Sequence, residues 1–355
     1  MLAVGAYPGY VEFDKTHDLT IERLDLSSNH WGLISFQGLK YYLRTFLQLR
    51  KLIKAHRVDQ LHCGRCLPEG VMAYIIWLVY KIPYKCFIHG EDVETAALSR
   101  ELSWMLRKVF SKASTLICNS QNSANILIGK WQIPAKKITV LHPGVDATRF
   151  VPAPKNNITK RSLGWNDKTV ILTVGRLQER KGQDMMIKAL PAIIKQVPSV
   201  LYAIIGDGEQ RNALISLAEE LGVTEHVMFM GEVSDNEMIQ SYQQCDIFVL
   251  PNRTVGNDIE GFGMVLVEAQ ACGKPVIAGD SGGTSETMVK GKTGFIVDCS
   301  TPEPLAKQMI HLFCSPNLMR ELQVNARKHI ENNLDWKSLT KSIELVFQGS
   351  SNEKH

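Results

Sequence analysis

Two glutamates, eight positions apart, frame a glycine-broken turn in Glu260-Gly261-Phe262-Gly263-Met264-Val265-Leu266-Val267-Glu268. The apolar run after Gly263 reads as a helix, so the turn stands at a helix mouth. Free backbone N–H groups there, together with the helix dipole, make a site for an anion. Gly261 and Gly263 remove side chains where a ligand must approach the backbone. Eight helical steps would separate the two carboxylates by about 12 Å, and less if Glu260 lies in the loop. That span suits a ligand with hydroxyls at both ends and phosphates between them. Taken alone, the stretch equally describes an acidic loop followed by a helix with one exposed glutamate.

A second motif brings the opposite charge. Gly175-Arg176-Leu177-Gln178-Glu179-Arg180-Lys181-Gly182 closes a strand and precedes a helix that starts near Asp184. Arg176 and Lys181 therefore stand at the C-terminal edge of a parallel sheet, where open α/β folds bind ligands. Two fixed cations there would neutralise a diphosphate, whereas Arg180 reads as solvated. Further turns follow strands on the same edge, at Gly206-Asp207-Gly208-Glu209, at Gly231-Glu232-Val233-Ser234 and over 279–286. Ser234 and Glu237 have the spacing of a capping box.

Short β-branched runs alternate with longer helical stretches, which predicts an α/β chain with parallel sheets. The first series has strands over 20–24, 60–63, 84–89, 115–119 and 138–142, with helices over 40–56 and 100–111. A Pro/Asn-rich stretch at 151–157 reads as a linker, dividing the chain into domains 1–150 and 151–333. The second series has strands over 170–174, 200–205, 227–230, 247–250, 275–278 and 294–297. Two Rossmann-like sheets in tandem are expected. A closing helix within 334–349 is expected to return to the first domain, ahead of a disordered tail at 350–355.

Composition narrows the function classes. A chain of 355 residues, 45% hydrophobic and 21% charged, is globular and long enough for two cores. A net charge of +4 is too slight to imply nucleic-acid binding. Val71 to Tyr80 is the best apolar run and falls far short of the ~18 residues a membrane span needs. Met1 to Pro8 lack the basic start and long apolar core of a secretory signal, so a cytoplasmic protein is expected. The eight cysteines include Cys63-Gly64-Arg65-Cys66, but no second ligand pair follows at zinc spacing. Ordinary thiols of a reducing compartment are expected. The basic helix with Lys40, Arg44, Arg50, Lys51, Lys54 and Arg57 has two readings, a dock for anionic lipid or a solvated face.

Together, the E-x7-E element, the G-R-L-x-x-R-K-G loop and the Ser281-Gly282-Gly283 loop resemble glycosyltransferase family 4 in kind and order. The resemblance runs from about 4 to 347. It implies the GT-B fold, two Rossmann-like domains facing a central cleft, and retaining transfer from a nucleotide sugar. Gly182-Gln183-Asp184 and Asp258-Ile259-Glu260-Gly261 are similar to bacterial mannosyltransferases acting on phosphatidylinositol mannosides, which implies GDP-mannose and a lipid or saccharide hydroxyl.

The resemblance also implies roles. Arg176 and Lys181 would hold the donor diphosphate, Glu268 the ribose hydroxyls and Glu260 a hydroxyl of the transferred sugar. The backbone from Gly261 through Phe262, Gly263, Met264 and Val265 would meet sugar and phosphate oxygens, and Gly231 to Val233 the base. Phe87-Ile88-His89-Gly90-Glu91-Asp92 resembles the family's histidine-glycine element, placing His89 at the sugar. Asn119-Ser120 matches a polar pair beside the acceptor. The family mechanism is front-side substitution, with the leaving diphosphate taking the acceptor's proton. No Asp-x-Asp occurs, and neither a metal nor a cofactor is expected. In the family a strand, glycine-rich loop and helix come first, whereas Leu2–Val4 resembles its second strand and 6–9 the loop behind it. A missing first β-α unit is therefore expected, and with it a second outcome, a non-catalytic nucleotide-sugar-binding subunit.

Overall fold

A computed structural model describes residues 2–4, 10–16, 21–24, 31–340 and 343. It divides the chain into two compact units, one of 1–87 with 96–116 and one of 88–95 with 117–355. The strands of the first series are β1 (Leu2–Val4), β2 (Glu22–Leu24), β3 (Leu61–Cys63), β4 (Tyr84–Ile88), β5 (Thr115–Cys118) and β6 (Ile138–Val140). They form two sheets where one was expected. β1 and β2 pair in parallel as a two-stranded sheet, and β3-β4-β5-β6 form another. A parallel sheet is continuous only where each strand finds a ladder partner. Among the described residues no ladder joins the β1–β2 pair to β3. The loop expected at 6–9 lies outside the described residues.

The second series matches the expected strands to within a residue. It comprises β7 (Thr169–Val174), β8 (Val200–Ile205), β9 (Val227–Gly231), β10 (Ile247–Leu250), β11 (Val276–Gly279) and β12 (Gly294–Val297). Their order is β12-β11-β10-β7-β8-β9, every pair parallel. Both faces are covered, so these strands are apolar along their length rather than alternating. Ile171, Ile204, Val249 and Ile277 point into one core, and Leu172, Ala203, Phe248 and Ala278 into the other. The chain leaves β7 toward β8 and β9, then crosses to β10 on the opposite flank. The order thus reverses between β7 and β10, the place where such sheets open a crevice at their carboxyl ends.

Of the two expected helices, the basic one starts one turn early and the other lies where the pattern placed it. The basic helix runs Phe36–His56, because Ser35 Oγ accepts the Gly38 N–H at 3.0 Å and caps it. Arg100–Lys112 is capped likewise by Ser99. The predicted capping box at Ser234 and Glu237 is present, both bonds made. Beyond Leu334 the chain turns back onto 145–147. Val145 N–H donates to Leu334 O at 2.8 Å, and Asp335 Oδ1 accepts the Ala147 N–H at 3.1 Å. Helix is described to 340; most of the expected closing helix and the tail at 350–355 lie outside the described residues.

Cys63 and Cys66 are buried, and burial pushes the Cys63 thiol up to about 12. A thiol so rarely ionised is a poor nucleophile or metal ligand. Among the described residues no helix is long and apolar enough to cross a membrane.

Candidate active site

The loops after β7 and β10 meet at the switch point. After β7 a single 3-10 turn, Glu179–Lys181, is closed by Gly182 at φ +73°. Only glycine fits there, since a Cβ would lie 1.8 Å from Pro251 O. That turn sends Glu179 outward and Arg180 inward. Arg180, expected in solvent, is buried with only 9% of its side chain exposed. Its guanidinium is divided among three carboxylates: Nη1 to Glu260 Oε2 at 2.7 Å, Nε to Asp258 Oδ1 at 3.0 Å and Nη2 to Glu91 Oε2 at 3.4 Å. Lys181 Nζ meets the same Glu260 oxygen at 2.5 Å. The two residues assigned to phosphate and sugar, Lys181 and Glu260, are therefore paired with each other. Arg176 is different: it is exposed, and among the described residues its guanidinium makes no ion pair.

Past β10 the chain reaches Glu260 in the loop and begins a helix only at Met264. Gly263, at φ +96°, turns the backbone into that helix. The first helical bond is Leu266 N–H to Gly263 O at 3.0 Å, which leaves Met264 and Val265 N–H groups ahead of it at the mouth. Side chains of Met264 and Val265 pack against the core, and Phe262 is buried with its ring stacked on His142, 5.3 Å between centroids. These residues offer backbone, not side chain, to a ligand.

Glu268 lies in the second turn of the same helix and accepts the Tyr242 O–H at 2.7 Å. Burial raises its carboxyl above the ordinary carboxylate value, and the tyrosine bond and the Arg149 charge oppose this only in part. On the far side of β7, Gly231 ends β9 at φ +69°, and its carbonyl accepts the Gly206 N–H at 2.8 Å. Val233 packs its side chain into the core beside this corner.

The strand-end residues of the first series converge on the glutamate turn. A Cβ on Gly261 would stand 2.4 Å from His89 O and 3.2 Å from Asn119 Nδ2. Asn119 Nδ2 donates to His89 O at 3.2 Å, and Ser123 Oγ donates to Asn119 Oδ1 at 2.8 Å. Ser120 is fully buried and caps the helix Gln121–Gly129. His89, Asn119, Ser120 and the 260–263 turn are thus one cluster. Arg180, Glu91, Asp258, His142 and Glu286 belong to it, Tyr242 holds Glu268, and none of these was singled out as a site residue. The one sequence signal for Arg180 was its position beside Lys181 in a glycine-closed turn.

Parallel Rossmann-like sheets, with cations, a helix mouth and paired glutamates at the carboxyl edge of the second, define a GT-B glycosyltransferase. Residues 155–329 match the family described as glycosyl transferases group 1, and 17–149 match Glycosyltransferase Family 4. The chain belongs to glycosyltransferase family 4. It is 31% identical over 305 residues to the GDP-mannose-dependent alpha-(1-6)-phosphatidylinositol monomannoside mannosyltransferase of Mycolicibacterium smegmatis, 85% of this chain and 79% of that protein. The monoacylated-substrate counterpart of Corynebacterium glutamicum is 32% identical over 307 residues, 84% and 79% of the two chains. Among solved structures, Anabaena Alr3699/HepE in complex with UDP superposes with a TM-score of 0.80 at 22% identity, covering 98% of this chain and 92% of that one. A Rickettsia africae glycosyltransferase gives 0.79 at 20%, covering 99% and 90%.

Proposed function

We propose that this chain is a retaining hexosyltransferase that moves mannose from GDP-mannose to a hydroxyl of a lipid or saccharide, without a metal. The observation that carries the reading is the Glu260 carboxylate, held between Arg180 and Lys181 while Gly261 packs against His89 O. Glu260 then faces the sugar, and Arg176 and Lys181 the diphosphate. Charge developing on the leaving phosphate is met by those two cations and by the N–H groups at Met264 and Val265, an electrostatic role that needs no metal. As the bond from the sugar to the diphosphate breaks, the departing phosphate oxygen takes the acceptor's proton and the acceptor oxygen bonds the sugar on the face from which the nucleoside diphosphate departs. Glu268 binds the ribose. GDP-mannose is favoured because the relatives are named for it, whereas the HepE complex holds UDP.

A thermal-shift panel of GDP, UDP, ADP and their sugars tests the donor. A ligand at 100 times its Kd adds about 2.7 kcal/mol, several degrees. GDP-mannose should give the largest shift. A larger shift with a uridine or adenosine sugar refutes the mannose donor, and no shift with any nucleotide refutes the transferase reading. Binding without turnover on any acceptor marks a non-catalytic subunit.

The Glu268 carboxyl gives a pH signature. Its value is raised in the folded chain, so its contribution to stability is complete below the ordinary carboxylate value and is lost as pH rises through the raised one. Ribose hydroxyls donate to the ionised form, so nucleotide affinity should move the other way. Below the raised value Kd should weaken by up to about tenfold per pH unit. Calorimetry from about pH 5 to 8 reads the slope. Glu268→Gln should flatten it, and a slope surviving that change would refute the assignment.

The helix Phe36–His56 supports a peripheral membrane contact. Phe36, Leu39, Leu43 and Leu47 are exposed at helical spacing, beside exposed Lys40, Arg44, Arg50 and Lys51. An apolar stripe flanked by cations fits an anionic lipid surface better than a solvated face. Reversing Arg44 and Lys51 to glutamate should weaken binding to phosphatidylglycerol vesicles by at least ~30-fold, at about 1 kcal/mol per charge. Unchanged sedimentation with vesicles would sink this reading.

A further inference from the structure

Several segments of the second unit meet on one carboxylate. Glu286 lies in the 3-10 turn Thr284–Thr287, just after the Ser281-Gly282-Gly283 loop. Its Oε2 accepts the Gln121 N–H at 2.6 Å and its Oε1 the Asn122 N–H at 3.0 Å, at the start of the helix Gln121–Gly129. Oε2 also meets His142 Nε2 at 2.9 Å, and the His142 ring lies on Phe262. Burial alone would raise this carboxyl. The bonds from His142, Gln121 and Asn122 outweigh burial and hold it below the ordinary value. It is therefore ionised at neutral pH, and its bonds are of the stronger, charge-assisted kind.

The same loop grips the glutamate turn through backbone. Gly283 N–H donates to Glu260 O at 2.9 Å. A Cβ on Gly282 would fall 1.8 Å from that carbonyl, and one on Gly283 would fall 2.4 Å from Gly261 O and 2.9 Å from Ser120 Cβ. On the other side, Asn119 holds His89 O at 3.2 Å. A contiguous path of contacts therefore runs from Glu260 through the Gly282-Gly283 loop and Glu286 to Gln121, Asn119 and His89. No link in that path passes through Arg176, Lys181 or Glu268.

We propose that Glu286 is a positioning residue for transfer, fixing His89 and the Asn119–Ser120 pair at the working distance from the Glu260 turn. The proposal rests on the transferase reading. Loss of the carboxylate returns two helix N–H groups to water and frees His142, so only the glycine contacts at Gly261 and Gly283 still hold the strand ends to the glutamate turn. Donor binding survives, and the geometry for transfer does not. Misplacement of about 1 Å can lower turnover by about 10²-fold.

Glu286→Gln in the full chain is the test, with Glu286→Ala as a second variant. Glutamine keeps the size but replaces one acceptor oxygen with a donor. Nucleoside diphosphate Kd should stay within about twofold, while kcat falls about 10- to 100-fold. Amide hydrogen exchange should speed about tenfold or more in both 119–123 and 260–264, with β10 unchanged. Wild-type kcat in Glu286→Gln would overturn the proposal, whatever the loss in Tm. So would faster exchange confined to 121–122, the mark of a simple helix cap. If the wild-type chain binds no nucleotide, the transferase reading fails, and the exchange pattern still decides whether Glu286 couples the two segments.

Discussion

Replacing Lys181 with alanine is expected to lower kcat/KM for transfer by about 10³-fold in a chain that stays folded. In the structure the Lys181 ammonium shares Glu260 Oε2 with Arg180 Nη1. A diphosphate entering beside it offers a stronger partner, because its negative charge grows as the sugar bond breaks. Interactions that strengthen during the reaction raise kcat, whereas those equally strong beforehand only lower KM. Lys181 can therefore turn from Glu260 to phosphate, leaving Arg180 to hold the glutamate. Arg176, without an ion pair among the described residues, needs no such exchange and should contribute more to donor affinity than to rate.

Stability should hardly change in Lys181→Ala, since Glu260 keeps its Arg180 bond at 2.7 Å and no buried carboxylate is stranded. Initial rates with GDP-mannose, paired with melting curves, separate the two effects. A variant within tenfold of wild type at unchanged Tm would show that Lys181 only neutralises Glu260. The assignment of the diphosphate cation would then fall to Arg176 alone.

The strands of the second sheet were legible because both of their faces are buried. Val170 to Val174, apolar but for Thr173, and Val200 to Ile205 are short buried runs followed by glycine, a pattern written in consecutive residues. The placing of Arg176 and Lys181 at the carboxyl edge followed from it, since their loop starts directly after β7. What escaped was direction and distance. Arg180 reads as solvated because its burial is set by Gly182, whose φ of +73° turns the chain against Pro251 O. Glu286 reads as a loop residue because its partners, Gln121 and His142, are 165 and 144 positions away. The start of the basic helix moved to Phe36 for a local reason, the Ser35 cap, that a count of apolar spacings does not see. The division of the first series into two sheets is likewise a property of pairing, which single strands do not reveal.

Arg180→Ala should be the most damaging change outside the predicted site, and Arg180→Lys should rescue little of it. The guanidinium uses three different nitrogens, Nε, Nη1 and Nη2, for Asp258, Glu260 and Glu91. A planar fork can serve three carboxylates at once, whereas an ammonium is a single point of charge on a longer, looser stem. Asp258 and Glu91 are about half exposed, so water can replace most of what they lose. Glu260 cannot be re-solvated as easily, with 10% of its side chain exposed. It would fall back on Lys181, and the loss of its charged hydrogen bond should cost about 2–3 kcal/mol. That corresponds to a Tm lower by about 5–10 °C for a unit of this size. Activity should fall further than stability implies, because Lys181 would then be tied to Glu260 when the diphosphate arrives. Rates measured well below the new Tm isolate that second effect. About 10²-fold slower turnover with near-normal nucleotide affinity is the expected split. Equal activity in Arg180→Lys and wild type would mean that charge alone, not the three-way fork, sets the Glu260 carboxylate in place.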